Sequence, residues 1–123
     1  MMLVDTSVWI DHFRHGDAAL TIALQTDQVW IHPFVTGELA CGNLNARTEI
    51  LGLLQSLPCL AKCTDPEVLR FIEDHHLMGR GIGYVDAHLL AAARLASTPL
   101  WTRDKRLNAA VQALGLAHSE THH

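Results

Sequence analysis

Four short, largely apolar runs, at 2–4, 29–32, 60–63 and 99–102, alternate with longer stretches of helical periodicity. This alternation limits the fold more than any other feature of the chain. A short run that stays apolar, without in–out alternation, suits a strand buried on both faces. Parallel neighbours need a crossover between them, and a helix is the usual one. The expected fold is α/β and three-layered, with a central parallel sheet of four or five strands and helices on both faces. A chain of 123 residues is one domain's worth and can bury a core without disulfides or a structural metal. That domain is expected over 1–118. Residues 119–123 read as a flexible tail with the look of an appended tag, so His122 and His123 are given no part in any mechanism.

The helices announce themselves through their ends. Thr6 or Ser7 is placed to cap a helix running to about residue 15. Helical patterns follow at 17–27, at 34–44 after Pro33, and at 47–57 before Pro58. Asp65, Pro66 and Glu67 read as a cap, a first-turn proline and a first-turn acid, opening a helix to about 78. Gly79, Gly81 and Gly83 make a loop, and an alanine- and leucine-rich helix spans 84–96. A last helix covers 104–114, with Gly115 as its stop. Trp9, Trp30 and Trp101 lie in or beside the apolar runs and are expected in the core rather than as platforms for bases.

A formal net charge of −4 argues against gripping nucleic acid through a broad basic face. Three cysteines, Cys41, Cys59 and Cys63, make an odd count and read as reduced and mostly buried, which suits a cytoplasm. Cys59 and Cys63, with His75 and His76 downstream, match no common zinc-ligand spacing. The opening MMLVDTSVWI lacks the positive region of a secretory signal. No apolar run approaches the roughly 20 residues a membrane span needs.

The acids fall at telling places. Asp5 directly follows the first strand and Asp104 closely follows the fourth, so both belong at the carboxyl edge of the sheet, where open α/β folds gather functional groups. Glu38 lies in the first turns of the helix after strand two. Asp86 opens the helix leading into strand four, and the glycine loop at 79–83 is expected to return the chain to the active edge. Converging carboxylates repel one another. A hard divalent cation, Mg²⁺ or Mn²⁺, removes that penalty and suits oxygen-only ligands. Such a cation activates water and stabilises a leaving oxygen in phosphodiester hydrolysis. Arg80, Arg103, Lys105 and Arg106 lie near these acids and read as phosphate contacts. Each acid alone reads equally well, or better, as a helix cap or a solvated helix residue. The scattered histidines offer no comparable cluster, and His88 points to a different helix face from Asp86.

Four segments, LVDTSVWIDHF, VTGELACGNL, GIGYVDAHLLAAA and LWTRDKRL, occur in that order. Together they resemble the PIN domain of VapC-type toxins from bacterial toxin–antitoxin pairs, over nearly the whole chain. The resemblance implies a PIN-like fold and a Mg²⁺- or Mn²⁺-dependent endoribonuclease that cuts RNA to inhibit translation and growth. It puts the metal-binding and catalytic acids on Asp5, Glu38, Asp86 and Asp104, with Thr6, Ser7 and Thr102 orienting ligands or the substrate phosphate. It further implies a homodimer and a cognate VapB-like antitoxin whose C-terminal segment blocks the acidic cleft. One departure stands out. Some members carry an acid two positions beyond the last one, where this chain has Arg106, which leaves fewer ligands for a second metal. An aspartyl phosphatase would need a second Asp where Ser7 stands. A degenerate PIN domain, acting as a non-catalytic RNA- or protein-binding module, is the alternative, and the four intact acids count against it.

Overall fold

The computed structural model describes residues 1–118, so the expected tail at 119–123 lies outside the described residues. In chain order the elements are β1 (Met2–Val4), α1 (Thr6–His15), α2 (Ala18–Gln25), β2 (Val29–Trp30), α3 (Pro33–Ala40), α4 (Arg47–Ser56), α5 (Asp65–Asp74), α6 (Tyr84–Leu95), β3 (Leu100–Trp101) and α7 (Lys105–Ala113).

The sheet is parallel, as its apolar strands require, but among the described residues it has three strands, in the order β2-β1-β3. The expectation of four or five is corrected, and the reason is local. The segment at 60–63 does not pair as a strand; contact with the sheet is a single bridge between Ile31 and Cys59. Pro58 has no N–H to give and contributes only its carbonyl, to Ile31, while Leu60 donates to the Ile31 carbonyl. The chain then leaves for the cap of α5. On the other side Leu100 bridges Ala117 in the same one-residue fashion. Each outer position is thus held by one residue rather than a ladder.

Register aligns the ends that matter. Leu3 pairs with Trp30 and with Leu100, and Val4 pairs with Trp101. The Asp5 N–H then donates to the Trp101 carbonyl at 2.9 Å. β1 and β3 therefore finish together, which brings the residues after each strand to one edge.

Leu3, Val4, Val8, Trp9, Leu20, Leu54, Leu89, Leu90, Leu100 and Leu107 are fully or almost fully buried and join helices on either side of the sheet in one core. α6 carries seven consecutive buried residues, Ala87 to Ala93. Its alanines let neighbouring backbones come close, and it leads directly into β3. Of the tryptophans, Trp9 and Trp101 are buried and Trp30 is half-buried. The cysteines depart from expectation, since Cys41 and Cys59 are exposed and Cys63 is buried.

Several caps sit one residue from where composition places them. Asp5, not Thr6 or Ser7, caps α1 by accepting the Ser7 N–H. Thr64, not Asp65, caps α5 in a reciprocal box with Glu67. α5 ends at Asp74 rather than near 78, because His76 adopts a left-handed backbone with φ of 52°. Asp65 is left free to accept hydrogen bonds from Tyr84 and His88 on α6, which ties α5 to the start of the helix carrying Asp86.

Candidate active site

Asp5 is buried, at 5% exposure. Its Oδ2 receives the Ser7 hydroxyl at 2.7 Å, the Thr102 hydroxyl at 2.8 Å and the Ser7 N–H at 3.3 Å. The two hydroxyls in turn accept the N–H groups of Arg103 and Asp104. Each hydroxyl has one proton, and both protons are committed to Asp5. The 3.2 Å approach of Ser7 Oγ to Thr102 Oγ1 therefore carries no proton of its own. The effect is to fix Asp5 and to lock the β3–α7 connection to α1.

The other acids are held in the same way, each by one oxygen. Thr6 donates to Glu38 Oε1 at 2.7 Å, linking α1 to α3. The Gly83 N–H donates to Asp86 Oδ2 at 2.9 Å, across the first turn of α6. The Leu107 N–H donates to Asp104 Oδ1 at 2.9 Å, capping α7. The second oxygen of each of the four carboxylates takes no hydrogen bond among the described residues.

The four acids also sense one another. Burial raises the Asp86 carboxyl above the ordinary carboxylate range, and the charges of Asp5, Asp104 and Glu38 push the same way against the Gly83 N–H. Such crowding of one sign is what a cation relieves. Among the described residues no three His, Cys, Asp or Glu side chains stand close enough to enclose a cation as placed. Carboxylates without a counter-ion repel. An all-oxygen donor set with one open oxygen on each acid fits a hard divalent ion.

Asp86 reaches this edge without help from the glycine loop. A crossover helix runs antiparallel to its strand, so α6 begins at the carboxyl edge and delivers the chain to the amino edge. There the Pro99 carbonyl accepts from Leu3 and the Thr98 hydroxyl donates to the Met1 carbonyl.

The basic residues divide. Arg103 is engaged with Asp11 at 3.0 Å and with Asp17, and its guanidinium lies over the Trp101 ring. It clamps the α1–α2 junction to the loop before Asp104, and this commits both terminal nitrogens of its guanidinium to protein carboxylates rather than to RNA. Arg80, Lys105 and Arg106 are exposed. Asp11 and Asp17 escape sequence reasoning because their partner lies more than 80 residues away.

A third unforeseen residue is His32. It is buried, and its Nδ1 accepts the Phe34 N–H at 3.0 Å, capping the helix that carries Glu38. The position before Pro33 at a helix start is the signal that marks such a cap. A groove of about 580 Å³ opens beside Glu38, lined by Ile10, Phe13, Arg14, Leu39 and Ile50 among others.

Residues 2–112 match the family described as the PIN domain. The chain is 47% identical over 121 residues to ribonuclease VapC32 of two Mycobacterium tuberculosis strains, covering 98% of this chain and 98% of theirs. Among solved structures, it resembles a toxin–antitoxin complex from Klebsiella pneumoniae with TM-score 0.64 and 22% identity, covering 85% of this chain and 87% of that one. It also resembles FitAB bound to an IR36 DNA fragment, with TM-score 0.67 and 19% identity over 100% of both chains. At these identities the two structures speak for the fold.

Proposed function

This chain belongs to the PIN-domain family as a VapC-type ribonuclease toxin, and from that premise we propose that Asp5, Glu38, Asp86 and Asp104 hold a Mg²⁺ or Mn²⁺ ion at which RNA phosphodiesters are hydrolysed. The observation that carries the assignment is the shared state of the four carboxylates: one oxygen of each anchored to the fold, the other open. When bound, the cation supplies charge neutralisation and Lewis acidity for attack by water on phosphorus.

The chain's own residues do the rest. Ser7 and Thr102 hold Asp5 in one rotamer, and Thr6 holds Glu38, so the donor set is oriented before the ligand arrives. The caps on α6 and α7 do the same for Asp86 and Asp104. Arg80, Lys105 and Arg106 offer exposed cations to the phosphate backbone of the RNA. That lets an acidic protein receive an anion.

A cognate antitoxin is part of this reading. The groove beside Glu38, with apolar walls of Ile10, Phe13, Leu39 and Ile50, suits a partner segment that ends with an arginine among the carboxylates. Family membership supports a homodimer as well, and a cytoplasmic site of action, where RNA is available. No described helix is long and apolar enough to cross a membrane. The domain carrying these functions is assigned to 1–118.

Metal linkage separates this reading from a non-catalytic binding module. Mn²⁺ at 100 times its Kd adds about 2.7 kcal/mol of stability, on the order of 10 °C in Tm for a chain this size. Asp86→Asn removes a ligand and also a charge that the folded state raises in pKa, and so disfavours. The apo variant is therefore expected to melt at or above the wild type and to gain nothing from Mn²⁺. Equal gains in both proteins would remove Asp86 from the site. No gain in either would favour the binding module.

A further inference from the structure

Gly81 lies in the loop leading into α6, with a left-handed backbone at φ of 76°. A methyl group built there would stand 2.7 Å from Arg106 Cδ and 2.8 Å from its Nη1, so the Arg106 side chain lies directly across this backbone and any larger residue would displace it. Gly79, two positions earlier, has nearly the same backbone at φ of 73°, yet a methyl there would meet nothing within 4 Å. Gly79 serves the turn alone. Gly81 serves the turn and also seats Arg106.

The seat joins the segments that carry two of the acids. Gly83, two residues after Gly81, donates to Asp86, and Asp104 stands two residues before Arg106. Even so, Arg106 makes no hydrogen bond or ion pair among the described residues, whereas Arg103 spends its donors on Asp11 and Asp17. A guanidinium supported along its length, with its planar fork of donors unspent, is suited to a phosphate.

Resting on the ribonuclease reading above, we propose that Arg106, seated across Gly81, binds a backbone phosphate of the RNA beside the bond that is cut, and that Gly81 is what keeps this guanidinium in place. A phosphate neutralised by a protein cation releases a counter-ion, so each such contact on single-stranded RNA adds about 0.7 to the slope of log affinity against log salt.

The test uses a fluorescein-labelled, random-sequence single-stranded RNA, bound across a salt series in Ca²⁺ buffer, with Mn²⁺-dependent cleavage of the same RNA followed in parallel. Arg106→Ala and Gly81→Ala are each expected to lower the slope by about 0.7 and to raise KM more than they lower kcat. Arg106→Lys keeps the charge and the slope. Gly79→Ala imposes the same backbone strain without touching Arg106, and it also keeps the slope. A full slope in Arg106→Ala overturns the phosphate contact, and equal losses in Gly79→Ala and Gly81→Ala overturn the seat. If the wild type cuts RNA while Arg106→Ala keeps its slope, this inference alone falls. If the wild type neither binds nor cuts RNA, the ribonuclease reading falls with it.

Discussion

Asp5→Asn is expected to lower metal-dependent RNA cleavage by about 10³-fold or more while the fold survives. Removing a partner that merely orients a metal ligand already costs about 10–100-fold, and Asp5 is proposed as a ligand itself. Asparagine matches aspartate in shape and is an equally good helix cap, so α1 keeps its start. The Ser7 and Thr102 hydroxyls can still donate to the amide oxygen. What disappears is the negative charge and the open second oxygen, the one proposed to face the cation. The stability change is expected to stay within about 1 kcal/mol, the size of one ordinary hydrogen bond. Initial cleavage rates on labelled RNA, set beside thermal melts of both proteins, check the pair of claims. Cleavage within tenfold of the wild type, by protein freed of contaminating nuclease, would exclude Asp5 as a ligand.

The second large effect is on stability and follows from His32. Burial first, and then the charges of His88 and Lys62, lower its pKa from 6.5 to about 4. In the folded protein His32 is neutral because its Nδ1 must accept the Phe34 N–H. Between pH 6.5 and 4 the unfolded chain therefore binds the extra proton and the folded chain does not. The stabilisation is fully present above about pH 6.5 and is lost as pH falls towards 4, a loss of about 3 kcal/mol. Asp17, Asp65 and Glu67 are held below their ordinary range, so they act in a separate, lower window. Urea unfolding from pH 7 down to 4.5 should show the loss in the wild type. His32→Asn, which caps α3 without titrating, should flatten the profile even if it lowers stability at pH 7. Parallel profiles would refute the assignment. The same protonation removes the cap from the helix that carries Glu38.

The two effects share a feature of the fold: helix starts fix the acids. Asp5 and Asp104 are caps, Asp86 bonds back across its first turn, and Glu38 rides on a helix capped by His32. All of these starts crowd one end of the narrow sheet β2-β1-β3. Local chemistry announces such positions, which is why the acids at 5, 38, 86 and 104 stand out as candidates from residue type and place in the chain. The helix spans were legible for the same reason, to within a few residues at their ends.

What stayed hidden depends on partners distant in sequence. Arg103 looks like a phosphate contact until Asp11 and Asp17 fold against it. The segment at 60–63 looks like a strand, but a strand exists only where a neighbour offers a ladder, and here Pro33, which has no N–H for the Leu60 carbonyl and already starts α3, stops the pairing after one bridge. The seat of Arg106 on Gly81 joins the first turn of α7 to a loop that no spacing rule connects to it. Asp86 needs no glycine loop to reach the active edge, since any crossover helix into a parallel strand starts at the carboxyl edge.

The central claim, that four carboxylates and a divalent ion cut RNA, is tested most directly by incubating end-labelled total RNA with the wild type and Asp86→Asn in Mn²⁺, Mg²⁺ or EDTA. The account predicts discrete products from the wild type with either ion, none in EDTA, and none from the variant under any condition. Cleavage that persists in EDTA, or that Asp86→Asn retains, would contradict it.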